Sequence, residues 1–145
     1  MEKETQTKTQ LKEIVPLVMV DSVPETVAYY KEHLGFDFAY AMPEEGEWLW
    51  AMVQYNSVHV MFEKKDALVE EYPHFKGVPA GGSFLMYVQV GEGIESLYEQ
   101  LKADPKVSMV KDLHTTHYEM QEFAVKDCND YTLTFGQHNQ QCPEK

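Results

Sequence analysis

Hydrophobic and polar positions repeat one order of elements twice along the chain. Each half reads as a strand, a helix and three further strands, because strand-like apolar runs flank one segment with helical spacing. In the first half, Val27, Tyr30 and Leu34 recur at helical spacing and Gly35 ends the predicted helix. The predicted strands of this half cover residues 14–20, 36–42, 48–55 and 57–62.

The second half follows the same plan, with Gly91-Glu92-Gly93 separating its first strand from its helix. Ile94, Leu97 and Leu101 have the spacing of a helix. The predicted strands cover residues 84–90 and lie near Val107, Phe123 and Leu133. Such a repeat indicates an α+β fold in which neither sheet buries its apolar face alone, so the two halves share a concave surface.

The repeat predicts a single domain at residues 13–137. The parts are a flexible N-terminal tail at 1–12, a first βαβββ module at 14–63, a linker at 64–82, a second module at 83–136 and a polar C-terminal tail at 138–145. The first residues are charged and amide-rich without an apolar stretch, so we expect no signal or membrane anchor. We therefore expect a cytoplasmic protein.

Charge narrows the class of partner. The chain carries 24 acidic residues against 12 basic ones, a formal net charge of -12, which disfavours nucleic acid. All 12 basic residues are lysines, so the chain cannot grip a carboxylate or phosphate with the planar fork of arginine. This favours neutral or cationic small molecules. Cys128 and Cys142 have the spacing of neither a disulfide framework nor a zinc site.

Three strings carry a resemblance to a known family. They are YYKEHLGF at residues 29–36, VQV at 88–90 ahead of LYEQL at 97–101, and FAVKDCNDY at 123–131. With them the chain resembles the vicinal oxygen chelate superfamily, although Cys128 and Asp130 replace a proline and a glycine of the family pattern. The resemblance implies a glyoxalase/bleomycin-resistance-type fold with curved, cup-like mixed sheets and a homodimer. It leaves the function open, because the family includes glyoxalases, extradiol dioxygenases and bleomycin-binding proteins that catalyse nothing.

The resemblance also implies where a metal would bind. Metal-using members take ligands from the first and last strands of each half, and these positions fall near Val15, Met61, Leu85 and Thr134. Such side chains supply no imidazole, carboxylate or thiolate for a divalent ion. We therefore expect no metal and no other cofactor.

Other residues are weaker candidates for a metal site. The six histidines are His33, His59, His74, His114, His117 and His138. His59 faces the same way as Met61 and Glu63 on its predicted strand, but His59 and Glu63 are about 13 Å apart at about 3.3 Å per residue and cannot chelate one ion together. His114 and His117 would point to opposite faces of a strand. His59 and Glu63 remain the candidates for a catalytic role.

The predicted cup is soft and aromatic. Strand alternation places a set of ligand-binding candidates on its surface: Trp48, Trp50, Met52, His59, Met61, Leu85 and Tyr87. The family resemblance adds Thr134 to this set. The alternative is that one of the two tryptophans packs beneath the helix. Indole, thioether and phenol groups suit a planar aromatic or cationic ligand.

Two functions follow from these observations. The first is a metal-free protein that sequesters a planar aromatic or cationic small molecule, in the manner of bleomycin resistance proteins. The second is a glyoxalase-like lyase or isomerase, or a dioxygenase. This enzyme would either bind a metal at an unrecognised site or use His59 as a general base without one.

Overall fold

The computed structural model describes residues 8–139 and contains two modules of the same order. The first consists of β1 (Leu17–Val20), α1 (Val23–Leu34), β2 (Asp37–Met42), β3 (Trp50–Tyr55) and β4 (Val58–Lys64). The second consists of β5 (Leu85–Gln89), α3 (Ile94–Lys102), β6 (Ser108–Thr115), β7 (Met120–Lys126) and β8 (Thr132–His138). The predicted α+β fold with two tandem βαβββ modules is confirmed.

Each module forms one mixed sheet of four strands. The strand orders are β1-β4-β3-β2 and β5-β8-β7-β6. In each sheet the first strand pairs in parallel with the last strand of its module, and the other pairs are antiparallel. β1 begins at Leu17 rather than at the predicted residue 14, because Pro16 has no amide hydrogen to donate to a neighbouring strand.

Local signals set both ends of α1. The Ser22 side chain accepts a hydrogen bond from the Glu25 amide at 3.2 Å, and Pro24 occupies the first turn, where its missing N–H costs nothing. At the other end, Gly35 has the left-handed φ of 82° that suits a residue without a side chain. The helix thus ends where its sequence predicts.

One hydrophobic core runs through both modules, and buried polar contacts join them. Tyr30 is fully buried, and its hydroxyl donates to Asp127 Oδ2 at 2.6 Å. Asp127 Oδ1 accepts from the amides of Asn129 and Tyr131 at 2.8 and 2.9 Å. The helix string at 29–36 and the turn string at 123–131 therefore contact each other, which explains why the fold uses both.

The predicted linker contains regular structure. It forms α2 (Lys65–Glu71) and a short 3₁₀ helix at Pro73–Phe75, and α2 packs against β1 and β4. Leu68 is the buried anchor of α2, at 5% exposure. The linker thus covers part of the first sheet.

The predicted tails are described only in part. Residues 1–7 and 140–145 lie outside the described residues, and His138 belongs to β8 rather than to a tail. Over residues 8–139, no helix combines the length and the apolar character needed to cross a membrane.

Candidate functional site

The first sheet has one face covered by α1 and one face turned away from it. Ala51, Val53, Val60 and Phe62 are buried on the side of α1. Strand alternation and register place the remaining residues on the opposite side, which we call the open face of the first sheet. It comprises Leu17, Met19, Tyr40, Met42, Trp50, Met52, Gln54, His59, Met61 and Glu63.

Cross-strand pairs make this open face soft and aromatic at its centre. Trp50 of β3 lies opposite Glu63 of β4, and Met52 lies opposite Met61. Side chains opposite each other across antiparallel strands have Cβ atoms about 4.5–5.5 Å apart, so these groups are neighbours. Trp50, Met52 and Met61 are half-buried, although they lie on the face of the sheet that α1 does not cover. An indole, two thioethers and a carboxyl group therefore form one continuous surface.

The structure separates the two tryptophans. β3 begins only at Trp50, so the alternation of the strand does not extend to Trp48. The Trp48 ring stacks on Phe38 at a centroid distance of 5.1 Å and packs against the core. Phe38 lies opposite Val53, on the side of α1. Trp48 is thus the tryptophan that packs on the helix side, and Trp50 is the one on the open face.

The second sheet buries Phe123, Val125, Leu133 and Phe135 on one face, and its other face, which we call the open face of the second sheet, is mainly polar. It carries the predicted Leu85, Tyr87 and Thr134, and Tyr87 lies beside Thr134 in the register of β5 and β8. The Tyr87 hydroxyl donates to Glu122 Oε2 at 2.6 Å, and the hydroxyl of Tyr118 donates to the same oxygen at 2.9 Å. Burial and the hydrogen bond to Glu122 raise the pKa of Tyr87, so the phenol remains protonated.

Gly136 makes this arrangement possible. It lies opposite Glu122 in the register of β7 and β8, and a methyl group at this position would overlap the Tyr87 hydroxyl. Because position 136 has no side chain, the Tyr87 ring can cross β8 and reach the carboxylate.

A cavity of about 410 Å³ lies between the two modules, beside the start of β4 and β5. His59, Tyr87 and Gln89 line it, together with the segment that precedes β1. His59 Nδ1 is buried and makes no hydrogen bond in the described part of the chain. The fold therefore brings His59 and Tyr87, candidates from separate halves, to one cavity.

Glu63, the other catalytic candidate, lies elsewhere. It is 9% exposed and lines a cavity of about 690 Å³ between the linker, β1 and the residues that precede β5. Burial and the adjacent Glu71 carboxyl raise the pKa of Glu63 above its ordinary value. His59 and Glu63 thus line different cavities, so the arrangement gives no acid–base pair.

The residues at the metal positions of the family do not fit a metal. Val15 precedes β1 and Leu85 opens β5, while Met61 and Thr134 lie within β4 and β8. Hydrocarbon, thioether and hydroxyl groups are poor ligands for a divalent ion. Within residues 8–139, no group of three or more His, Cys, Asp or Glu side chains is placed to hold a metal ion. The absence of a cofactor stays a prediction.

The other histidines have structural contacts or lie at the surface. His33 Nδ1 lies 2.7 Å from Asp104 Oδ2, and His114 Nδ1 lies 2.8 Å from the carbonyl oxygen of Asp112. His74 packs against Phe75, and His117 packs against Tyr118. His138 is exposed at the end of β8.

The sequence analysis did not predict that residues of the linker line a cavity. Leu68, Tyr72 and Phe75 stand at positions i, i+4 and i+7, the spacing of one helix face, and this signal was available in the sequence. It also missed the pairing of Glu122 with Tyr87 and Tyr118, which local patterns do not reveal because the partners come from different strands.

Comparison with known proteins identifies the fold. Residues 10–135 match the family model of the Glyoxalase/Bleomycin resistance protein/Dioxygenase superfamily. No curated protein sequence gives a significant match.

Several solved structures have the same architecture. A glyoxalase/bleomycin resistance protein/dioxygenase from Nocardioides superposes with a TM-score of 0.74 at 14% identity, covering 99% of this chain and 94% of that chain. TioX from Micromonospora sp. ML1 gives 0.66 at 17% identity, with coverages of 88% and 98%. A bleomycin-binding protein from Streptomyces verticillus, solved with copper(II)-bleomycin, gives 0.59 at 17% identity, with coverages of 92% and 100%. At these identities the likeness concerns the fold alone.

Proposed function

Since the chain belongs to the glyoxalase/bleomycin resistance protein/dioxygenase superfamily, we propose that it binds a planar aromatic or cationic small molecule without a metal. The observation that carries this proposal is the pairing of Trp50 with Glu63 and of Met52 with Met61 on the open face of the first sheet. This pairing offers a ring to stack on, polarizable sulfur atoms around it and a carboxyl group at its border.

Each part of this surface favours the same class of ligand. Indole faces attract both aromatic rings and cations, and thioethers adapt to the outline of an apolar ligand. The net charge of -12 and the lack of arginine disfavour anionic ligands such as phosphates. The polar open face of the second sheet adds hydrogen-bonding groups at Tyr87 and Thr134. The proposed ligand surface also includes His59, which lies on the open face of the first sheet, and Leu85, which lies on the open face of the second sheet.

Tryptophan fluorescence tests the proposal directly, because the chain has only two tryptophans. The first probe is proflavine, a planar cation, followed by metal-free bleomycin and copper(II)-bleomycin, since a bleomycin-binding protein shares the fold. We expect Trp50→Ala to weaken proflavine binding about tenfold, the loss of one stacking and cation–π contact.

Trp48→Ala is the matched control. Trp48 stacks on Phe38 and packs against the core, so its removal should lower stability while changing the affinity for proflavine less than threefold. Equal affinity of wild type and Trp50→Ala for every probe would contradict the proposed site.

A second candidate function rests on His59. Its buried Nδ1 without a hydrogen-bond partner, in a cavity shared with Tyr87, favours a metal-free enzyme with His59 as general base. Turnover of the hemithioacetal of methylglyoxal and glutathione, or of catechol, by chelator-treated protein would support this candidate if His59→Gln abolished it. Absence of turnover with these compounds would leave the binding function as the better proposal.

The assembly and location belong to the proposal as well. We propose a homodimer, as the family resemblance implies, and light scattering after size-exclusion chromatography would test it. The cytoplasmic location expected from the N-terminal composition also stays a prediction.

A further inference from the structure

A separate cavity, the one that Glu63 lines, lies beneath the linker. It measures about 690 Å³ and is enclosed by β1, the end of β4, the linker and the residues that lead into β5. Leu17 and Met19 form part of its floor, and Leu68 anchors α2 over it. This volume is within the range of sites that hold small molecules.

Aromatic rings line this cavity from two sides. Tyr72 and Phe75 come from the linker, with perpendicular rings 6.4 Å apart. Phe84 and Tyr131 come from the second module, with ring centroids 5.9 Å apart. Tyr72 and Phe84 are about half-exposed, at 52% and 49%, so a small molecule in solution can reach these rings. Rings from two independent segments form walls that suit an apolar or cationic group.

Two carboxyl groups meet in the same cavity. Glu63, at 9% exposure, and Glu71, the last residue of α2, both line it, and burial and the Glu71 carboxyl raise the pKa of Glu63. Two carboxylates that face one cavity repel each other, and a cation between them relieves this repulsion.

No lysine of the described cavity lining neutralises these two carboxyl groups. No lysine is among the described residues that line the cavity, and the nearby Lys64 Nζ donates to the carbonyl oxygen of Asp21 at 3.3 Å. His74 is the one basic side chain among those lining residues. The cavity thus combines aromatic walls with two carboxyl groups and no lysine among its described lining residues.

We propose that this cavity is a binding site for a small organic cation, with an ammonium group at Glu63 and Glu71 and an apolar part against Phe75 and Phe84. The ammonium group pairs with the two carboxyl groups, which have no lysine beside them on the cavity wall. This site shares Glu63 with the proposed aromatic surface, but Trp50, Met52 and Met61 do not line the cavity, so variants of Trp50 and of Glu71 test the two proposals separately.

A pair of compounds of similar shape isolates the role of charge. Isothermal titration calorimetry at pH 7 would compare 2-phenylethylammonium with 2-phenylethanol, which differ in the charged group. We expect the ammonium compound to bind at least tenfold more tightly. Equal binding of the two compounds, or no detectable binding of the ammonium compound, would overturn the proposal.

Variants on α2 locate the site without disturbing the core. Glu71→Gln, on an exposed residue, should weaken binding of 2-phenylethylammonium at least tenfold, whereas its exposed neighbour Glu70 does not line the cavity. Glu70→Gln is therefore the matched control and should bind within twofold of wild type. Trp50→Ala should also retain binding, which separates this site from the proposed aromatic surface. Wild-type affinity in Glu71→Gln would place the cation elsewhere and refute the assignment.

Discussion

Glu63 shows how one residue departs from its ordinary chemistry. It is 9% exposed, lies opposite Trp50 and lines a cavity together with Glu71. Burial first, and then the neighbouring carboxyl, raise the pKa of Glu63 above the value it has in the unfolded chain. The folded state therefore binds the proton of Glu63 more tightly than the unfolded state does. The stability linked to this group is present below the ordinary carboxyl pKa and is lost as the pH rises through the raised pKa.

Replacing this carboxyl group should change how stability depends on pH. Glu63→Gln keeps the shape of the side chain and cannot ionise, so its unfolding midpoint relative to wild type should rise between pH 4 and pH 7. Thermal unfolding monitored by circular dichroism across this range would measure the difference. Glu70→Gln, an exposed neighbour on α2, should show no comparable trend. A difference that stays constant or shrinks as the pH rises would contradict the buried placement of Glu63.

Single residues also mark a limit of sequence reasoning. The sequence shows that positions 50, 52 and 61 carry an indole and two polarizable thioethers. Strand alternation predicted that all three lie on the open face. The alternation of the sequence predicts the same face for Trp48. Trp48 nevertheless lies on the other side of the sheet, because β3 starts at Trp50, two residues after it. The exact start of a strand depends on pairing with its neighbours, which a local pattern does not contain.

Among the elements, α1 depends most clearly on a local signal at its end. Gly35 has a φ of 82°, and a methyl group there would lie 3.3 Å from the Tyr55 ring. Gly35→Ala should lower the free energy of unfolding by about 1–2 kcal/mol through the left-handed backbone alone, with the contact to Tyr55 adding to this cost. Urea denaturation would measure the loss.

Gly46→Ala provides the matched control for this prediction. Gly46 has a similar φ of 92°, but nothing lies within 4 Å of a methyl group placed on it. Its replacement should therefore cost less than that of Gly35. A larger loss for Gly46→Ala than for Gly35→Ala would mean that the contact with Tyr55 does not add to the cost of a side chain at position 35.

The linker shows what an element gains from tertiary contacts. α2 is a seven-residue helix without a side-chain cap, too short to be stable alone. Leu68 holds it against the first sheet, and the same packing brings Tyr72 and Phe75 over the cavity. The spacing of these three residues is visible in the sequence, but the surface that they cover is not.

At the scale of the whole molecule, the absence of a metal donor set can be tested. An ion that binds only the folded state at a hundred times its Kd would stabilise it by about 2.7 kcal/mol. Because the family positions carry Val15, Met61, Leu85 and Thr134, we expect no rise in the unfolding midpoint of chelator-stripped protein with Ni²⁺, Zn²⁺, Fe²⁺ or Mn²⁺. Thermal unfolding with each ion would measure this, and protein kept in chelator is the reference.

A clear rise with one of these ions would contradict the metal-free site. It would direct attention to His59, whose Nδ1 is buried without a partner in the described part of the chain. Repeating the titration with His59→Gln would then show whether this histidine is a ligand.

The sequence by itself determined the order of elements, the duplication and the chemical character of the open face. These properties depend on periodicity and on caps such as Ser22 and Gly35, which act within a few residues. Only the tertiary structure decided that Trp50 rather than Trp48 lies on the open face, that His59 and Tyr87 line one cavity and that Glu63 and Glu71 line another. These contacts join residues from different strands and helices, so they depend on sheet register and on the packing of the two modules, which no local pattern encodes.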